Sequence, residues 1–283
     1  MKDENQRLVP SSDSPATQGG PAVRSKRRTL SRRDFLKIAG ATAALAAAGA
    51  GGITAVRTLT QDQLEALKGA LARILARQYG AATGQMLDQK IQQELEKTLA
   101  ELPFIGTSQE NKWADNMPSA AFALAAYRVL VPEYATLEDA GHILYETLQL
   151  DMGGFTSLVM QATYNETAII EKLRLLAIRS QKRQYPEDWV MTFVEGTGQD
   201  FTYGVDVTEC AIRKYLAAQG APELTPYLCL TDYISSEAMG RGLVRYKTLA
   251  EGCALCDFRY KKGRPSYLYP LRNGWPPKFA DSC

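Results

Sequence analysis

The sequence predicts an α+β protein in which a block of helices precedes a small antiparallel sheet. Apolar residues recur at helical spacing from about residue 60 to residue 181. After Pro186 the pattern changes to short alternating runs separated by glycines, which is typical of β-hairpins. Because the helices come first and the strands gather afterwards, the sheet should be antiparallel and contain about four strands.

The helical block divides into five predicted segments. They run from Thr60 to Gly80, Met86 to Leu99, Ser119 to Val131, Leu137 to Leu150 and Phe155 to Gln181. Thr60 is a predicted N-cap, and Gly80 is a predicted helix end because glycine readily adopts the left-handed conformation there. Thr136 precedes Leu-Glu-Asp and is a second predicted N-cap. The apolar stripes of these helices are expected to form the core.

The second half is predicted to contain two hairpins separated by two helices. The expected order is a strand at Trp189–Val194, a strand at Asp200–Asp206, a helix from Glu209 to Gln219, a helix from Glu223 to Met239 and a hairpin over residues 245–263. Glycines at positions 196 and 198 supply the first turn. Thr208 is the predicted cap of the first of these helices, and Gly220 is its predicted end.

The last hairpin carries the densest set of reactive side chains. Its turn is predicted at Gly252, because glycine tolerates the positive φ that closes a tight turn. In the strand that follows, alternation places Cys256 and Phe258 on one face and Asp257 and Arg259 on the other. Reactive residues on a rigid ribbon beside a turn indicate a functional site.

An export signal precedes the predicted domain. Residues 31–37 read Ser-Arg-Arg-Asp-Phe-Leu-Lys, the pattern of a twin-arginine signal, and a weakly apolar segment from Ile38 to Val56 follows. Small residues at 46–48 and 48–50 allow cleavage by signal peptidase, and the alternative is a permanent N-terminal anchor. The pattern predicts the twin-arginine translocase as a partner, and export to the periplasm or the outer face of the membrane.

Net charge and chain length limit the possible binding partners and the number of domains. Residues 1–56 hold nine of the 33 Lys/Arg and four of the 31 Asp/Glu, so residues 57–283 carry a net charge of −3. That charge excludes the basic footprint of a nucleic-acid-binding protein. We expect a disordered n-region and signal peptide over residues 1–56, one α+β domain over 57–263 and a C-terminal tail over 264–283. A homo-oligomer formed through helix surfaces stays an open alternative.

Few residues could carry chemistry. The single histidine, His142, lies in the middle of a predicted helix, which favours packing over catalysis, and its isolation excludes a His-rich zinc site. The sequence contains no GxSxG, phosphate-loop or nucleotide-binding motif. A general base is therefore expected to be a carboxylate, or a Cys or Lys with a shifted pKa.

The five cysteines all lie in the last third of the chain, at positions 210, 229, 253, 256 and 283. Three interpretations stay open. The thiols are catalytic or substrate-positioning, or the first four bind a metal such as zinc, or all are plain disulfides and buried thiols. The odd number leaves at least one thiol unpaired, and a Cys253–Cys256 disulfide would close a very short, strained loop.

Several short motifs in this region resemble one known family. They are Glu209-Cys-Ala-Ile-Arg-Lys214, Gly220-Ala-Pro-Glu-Leu224, Leu228-Cys-Leu-Thr-Asp232, Arg245, Thr248-Leu-Ala250, Gly252 and Cys256-Asp-Phe-Arg259. The series resembles the L-2-amino-thiazoline-4-carboxylic acid hydrolase family, most specifically over residues 186–263. The resemblance implies a hydrolase that acts on carbon–nitrogen bonds other than peptide bonds and opens a thiazoline ring. The last hairpin also resembles the vinyl-reductase-type ligand-binding domains, at the level of fold alone.

The resemblance implies roles for six residues. Its substrate carries a carboxylate and a cyclic amidine carbon, so a site needs a base for water, an acid for the leaving group and a cation for the carboxylate. The residues that fit these roles are Asp232 as the base, Cys229 and Cys256 as catalytic thiols in a covalent or acid role, and Arg245, Arg259 and Cys210 as substrate-binding residues.

A non-enzymatic interpretation stays open beside the hydrolase. Cys229 and Asp232 are three residues apart on a predicted helix and share a face, but a neighbouring carboxylate raises the pKa of a thiol unless a cation offsets it. The alternative is an exported domain of the same fold that binds a small molecule, or zinc through Cys210, Cys229 and Cys256.

Overall fold

The computed structural model describes residues 54–266, and it shows helices followed by one antiparallel sheet, which confirms the α+β prediction. The helices of this region are α1 (Thr54–Tyr79), α2 (Ala81–Ala100), α3 (Met117–Leu130), α4 (Leu137–Met152), α5 (Phe155–Thr163), α6 (Glu166–Ser180), α7 (Ala211–Ala218) and α8 (Thr225–Ala238). The strands are β1 (Val190–Glu195), β2 (Tyr203–Glu209), β3 (Leu243–Val244) and β4 (Cys256–Tyr260). Short 3-10 helices lie at Lys112–Asn116, Pro222–Leu224 and Leu249–Glu251. Nearly all of the predicted signal segment and most of the predicted tail lie outside the described residues.

Helices α1 to α4 supply most of the core. Gly80 alone joins α1 to α2, and its φ of 83° lies in the left-handed region that glycine favours. The two helices approach closely, since a Cβ on Gly84 would lie 2.6 Å from the backbone nitrogen of Ala76. Helix α3 is buried over most of its surface because alanines fill the stretch from residue 120 to residue 126 around Phe122 and Leu124.

Several helix boundaries differ from the sequence predictions, and the second helix begins at Ala81 instead of Met86. Helix α1 already begins at Thr54, so Thr60 lies inside the helix and is not its cap. The helix predicted over residues 155–181 is two helices, because Asn165 caps α6 by accepting a hydrogen bond from the Ala168 amide at 3.1 Å. The predicted cap at Thr136 is confirmed, and Asp139 completes a capping box there.

The sheet has the strand order β1-β2-β4-β3, and each neighbouring pair is antiparallel. Val207 pairs with Cys256, and Val205 pairs with Phe258. Strand alternation therefore places Cys256, Phe258 and Tyr260 on one face of β4, which we call the inner face. The inner face packs towards α8, where the Tyr233 hydroxyl donates a hydrogen bond to the Arg245 carbonyl at 3.0 Å.

The connections around the sheet correct two predictions. Strand β3 is only two residues long, so residues 245–255 form a connection and not the predicted strand and tight turn. Gly252 does have the predicted positive φ, 90°, but it ends a 3-10 helix. Thr208 does not cap α7, because β2 continues to Glu209 and the Thr208 hydroxyl donates to the Val190 carbonyl at 3.3 Å.

No helix within residues 54–266 combines the length and the apolar character that crossing a bilayer requires.

Candidate active site

Three free thiols come together where α7, α8 and β4 meet. Cys210 directly precedes α7, Cys229 lies in α8, and Cys256 begins β4. Cys229 lies close enough to interact electrostatically with both other thiols, with Asp232 and with Arg245. Cys256 likewise interacts with Cys210, Asp232 and Arg245. Five of the six predicted site residues therefore form one group, which we call the thiol cluster (Cys210, Cys229, Asp232, Arg245 and Cys256).

Arg245 is the centre of the thiol cluster. Its guanidinium has no exposed surface. Nη1 donates a hydrogen bond to Asp232 Oδ2 at 2.6 Å, and Nη2 donates to the Cys229 carbonyl at 2.7 Å. Burial alone would lower the pKa of Arg245, but the charge of Asp232 and the nearby thiols outweigh burial and raise that pKa. Arg245 is therefore a permanent buried cation that ties α8 to the connection before β4.

Two aromatic rings enclose this cation. The Arg245 guanidinium lies 4.7 Å from the ring centroid of Phe258 and 5.2 Å from that of Tyr233. Such contacts stabilise a desolvated cation because the faces of aromatic rings are electronegative. Alternation in the sequence had placed Phe258 beside Cys256. Tyr233 was missed, although its position next to Asp232 on a predicted helix is a signal that could have drawn attention to it.

The three thiols are protonated at neutral pH. Burial raises the pKa of Cys256 to about 11, although the Leu249 amide donates a hydrogen bond to its sulfur at 3.2 Å. Burial also raises the pKa of Cys229 well above its usual range, against the opposing charge of Arg245. For Cys210, burial raises the pKa and outweighs hydrogen bonds from the amides of residues 212 and 213. Neutral thiols are poor nucleophiles but can donate protons.

Asp232 is the more exposed of the two charged groups in the thiol cluster. Its side chain is 42% exposed, in contrast to the fully enclosed guanidinium that it binds. The Cys229 and Asp232 positions share a face of α8, as their spacing predicted. The cluster therefore presents one accessible carboxylate, held in place by Arg245, beside the buried thiol of Cys256 and the partly buried residues Cys210 and Cys229.

Arg259 is the one predicted site residue that lies apart from the cluster. It stands on the outer face of β4, as alternation predicted, and forms an ion pair with Asp206 at 2.7 Å. Its side chain crosses β2 at Gly204, where an added Cβ would lie 2.9 Å from Arg259 Cδ. Its guanidinium also lies 5.3 Å from the ring centroid of Phe201. Through these contacts the Arg259 side chain is held on the face of the sheet opposite to Cys256.

The remaining titratable candidates do not join the cluster. Cys253 is disulfide-bonded and Cys256 is free, so the strained Cys253–Cys256 disulfide does not form. His142 lies on α4 with its Nε2 4.0 Å from Glu138. Within residues 54–266, no group of three or more Cys, His, Asp or Glu side chains is arranged to hold a metal ion. Zinc binding through the free thiols stays a prediction for metal analysis.

Two open surface pockets lie near the sheet. One, of about 530 Å³, is lined by Gln199, Asp200, Lys261, Lys262, Gly263 and Arg264. The other, of about 310 Å³, lies between α6 and β1 and includes Ile178 and Phe193. Neither is lined by a residue of the thiol cluster.

The fold and the cluster define a small α+β protein with an enclosed set of thiols around an Asp–Arg pair. Residues 115–260, just over half of the chain, match the family of L-2-amino-thiazoline-4-carboxylic acid hydrolase. The chain belongs to this family, and the whole thiol cluster lies inside the matched region. Residues 29–52 match the twin-arginine translocation pathway signal sequence, so the chain carries the signal for handling by that translocase.

No curated protein and no solved structure matches the chain. The likeness to vinyl-reductase-type domains therefore stays a prediction.

Proposed function

We propose that this protein is an exported hydrolase that opens a small cyclic amidine of the thiazoline type by adding water to the amidine carbon. Membership of the family supports the hydrolase class. The observation that carries the proposal is the exposed carboxylate of Asp232, which the buried guanidinium of Arg245 fixes beside protonated thiols. A fixed base next to proton donors is what hydration of a C=N bond and departure of the ring sulfur require.

In the proposed reaction, Asp232 accepts a proton from water while the water oxygen bonds to the amidine carbon. The thiol of Cys229 or Cys256 donates a proton to the ring nitrogen. The C–S bond of the resulting tetrahedral intermediate then breaks, and the ring sulfur takes the proton held by Asp232. The hydroxyl of the intermediate returns its proton to the thiolate as the carbonyl forms, so both protons of water are accounted for.

This scheme assigns proton transfer, and not nucleophilic attack, to the thiols. A thiolate nucleophile would need a lowered pKa, whereas burial raises the pKa of Cys229, and that of Cys256 to about 11. Arg245 is a positioning residue in the scheme, because its hydrogen bonds go to Asp232 and to the Cys229 carbonyl. Cys210 borders the bound substrate.

The proposed site of action is the periplasm or the outer face of the membrane. The twin-arginine signal supports it, since that route carries folded chains across the membrane. Enclosure of the Arg245 guanidinium and the thiols is compatible with a site that is fully assembled before export.

Ring opening of L-2-amino-thiazoline-4-carboxylic acid by the purified mature protein tests the proposal. Asp232→Asn should abolish turnover, because an amide cannot accept the proton of water. Asp206→Asn is a matched control, since Asp206 is also an aspartate paired with an arginine but on the outer face. It should keep near-normal turnover.

Two results would overturn the hydrolase. One is full activity of the Asp232→Asn variant. The other is tight binding of the substrate by the wild-type protein without turnover, which would favour the non-enzymatic domain. Stoichiometric zinc that is lost in Cys229→Ser and Cys256→Ser variants would favour the metal-binding alternative.

A further inference from the structure

A second group of aromatic and charged side chains continues from the thiol cluster along the inner face of the sheet. Tyr260 stacks on Tyr203, with ring centroids 5.0 Å apart, and on Phe258, with centroids 6.3 Å apart. The Tyr203 hydroxyl lies 3.1 Å from the Tyr164 hydroxyl. The Arg241 guanidinium lies 4.9 Å from the Tyr260 centroid. Phe258, Tyr260 and Tyr203 thus form an aromatic strip with Arg245 over one end and Arg241 further along.

Arg241 differs from the other two arginines of this region in what it binds. Arg245 is paired with Asp232, and Arg259 with Asp206. Within residues 54–266, Arg241 makes no ion pair, and its buried Nε has no hydrogen-bond partner. A buried donor without a protein partner is costly, so the Arg241 Nε is expected to bind water or a ligand.

The surroundings of Arg241 suit an anion. The nearby carboxylate is that of Glu166, whose negative charge contributes to the raised pKa of Tyr164 and of Tyr203. Glu166 forms no ion pair with Arg241. Burial raises the pKa of Tyr164, so its hydroxyl stays available as a donor. Lys262 places its Nζ 5.4 Å from the Tyr164 ring centroid and also lines the larger surface pocket.

That pocket adds attraction for anions. Its lining includes three cations, Lys261, Lys262 and Arg264, and one carboxylate, Asp200. Positive charge along an approach raises the local concentration of anionic ligands. Lys262, which contacts the Tyr164 ring, lies between this pocket and the surroundings of Arg241.

Arg241 and Asp232 flank the same aromatic strip. Arg241 lies over Tyr260, and Arg245, which holds Asp232, lies over Phe258. Tyr260 is within electrostatic range of both Arg241 and Asp232. Arg241 and the Asp232–Arg245 pair therefore lie beside neighbouring rings of the aromatic strip.

We infer that Arg241 binds the carboxylate of the substrate, and that the amidine of the bound substrate is directed to Asp232. The inference rests on the proposed hydrolase, and it defines the substrate class as small zwitterionic rings. It reassigns the carboxylate clamp from Arg245 and Arg259, which already have aspartate partners, to a residue that the motifs did not single out. Planar guanidinium groups suit the role because they bind carboxylates with two parallel hydrogen bonds.

Titration calorimetry with thiazolidine-4-carboxylate tests this assignment, because that ring carries the carboxylate but no amidine to hydrolyse. The wild-type mature protein should bind it, and Arg241→Met should bind it about 10- to 100-fold more weakly, the loss expected for a charged hydrogen-bonded pair. Arg241→Lys should recover part of the affinity, since it restores the charge without the planar fork. Arg259→Met is the matched control and should bind like the wild type.

Thiazolidine without the carboxylate separates ring binding from carboxylate binding. Wild type and Arg241→Met should bind it equally weakly. Equal affinity of wild type and Arg241→Met for the carboxylate ring, with both proteins folded by circular dichroism, would overturn the assignment, as would no binding to the wild type. Failure of the proposed hydrolase appears separately, as absent ring opening while the calorimetric difference persists.

Discussion

The Asp232–Arg245 pair should respond asymmetrically when its partners are removed one at a time. Asp232→Ala removes the ion pair with Asp232 from a guanidinium that has no exposed surface. Removing one member of a buried pair costs about 3–5 kcal/mol. Arg245→Met keeps most of the buried volume and leaves a carboxylate that is 42% exposed and can bind water. Its cost should be smaller, about 1–2 kcal/mol from lost charged hydrogen bonds.

Urea and thermal unfolding of the two variants measure this difference. At about 2–4 °C per kcal/mol for a domain of this size, Asp232→Ala should lower Tm by roughly 6–20 °C and Arg245→Met by roughly 2–8 °C. The double variant should be more stable than Asp232→Ala alone, because it no longer buries the cation that has lost Asp232.

The outer-face pair is the control for this asymmetry. Arg259 and Asp206 are 23% and 26% exposed, so Arg259→Met and Asp206→Ala should cost similar, small amounts. Equal losses of unfolding free energy in Arg245→Met and Asp232→Ala would refute the claim that burial of the guanidinium sets the cost of breaking the pair.

Three further predictions concern the thiols, the packing of α8 and the signal. Because the pKa of Cys256 is raised to about 11 from an unfolded value of about 8.5, its contribution to stability is constant below about pH 8.5 and is lost as pH rises towards 11. The urea midpoint should fall over that window, and less so in Cys256→Ala; a midpoint that is flat up to pH 11 would contradict the shift. Gly141→Ala should cost about 1–3 kcal/mol, because its Cβ would lie 2.0 Å from Tyr227 Cδ1, whereas Gly69→Ala in α1, with nothing within 4 Å, should be neutral or stabilising; equal unfolding midpoints would refute the clash. Replacing both arginines of the twin-arginine motif with lysine should retain the full-length chain in the cytoplasm on fractionation, and unchanged export would show that another route is used.

The order of elements was predictable because local patterns determine it. Alternation placed Cys256 and Phe258 on one face of β4, and the spacing of Cys229 and Asp232 placed both on one face of α8. The predicted helix boundaries were wrong where a single side chain sets the end of a helix. Asn165 interrupts the predicted 155–181 helix through one hydrogen bond, and no apolar periodicity reports such a cap.

The pairing of charged groups in the site was not predictable from the sequence. Arg245 and Arg259 look alike in their motifs, and only the non-local register between β2 and β4 brings Arg259 to Asp206. The length of β3 is also set by a non-local contact, its pairing with β4. The chain leaves the sheet where β3 ends, and Arg245 then lies in the interior. The gathering of Cys210 with the other thiols followed from the family resemblance and not from spacing.

The complete or partial burial of the three free thiols bears on the route by which the chain travels. A polypeptide threaded through a membrane in extended form would offer all five cysteines to oxidants before any core existed. A chain that folds in a reducing cytosol has Cys256 buried and Cys210 and Cys229 partly buried before it is transported. Transport in the folded state would thus limit oxidation of these three thiols on the far side of the membrane.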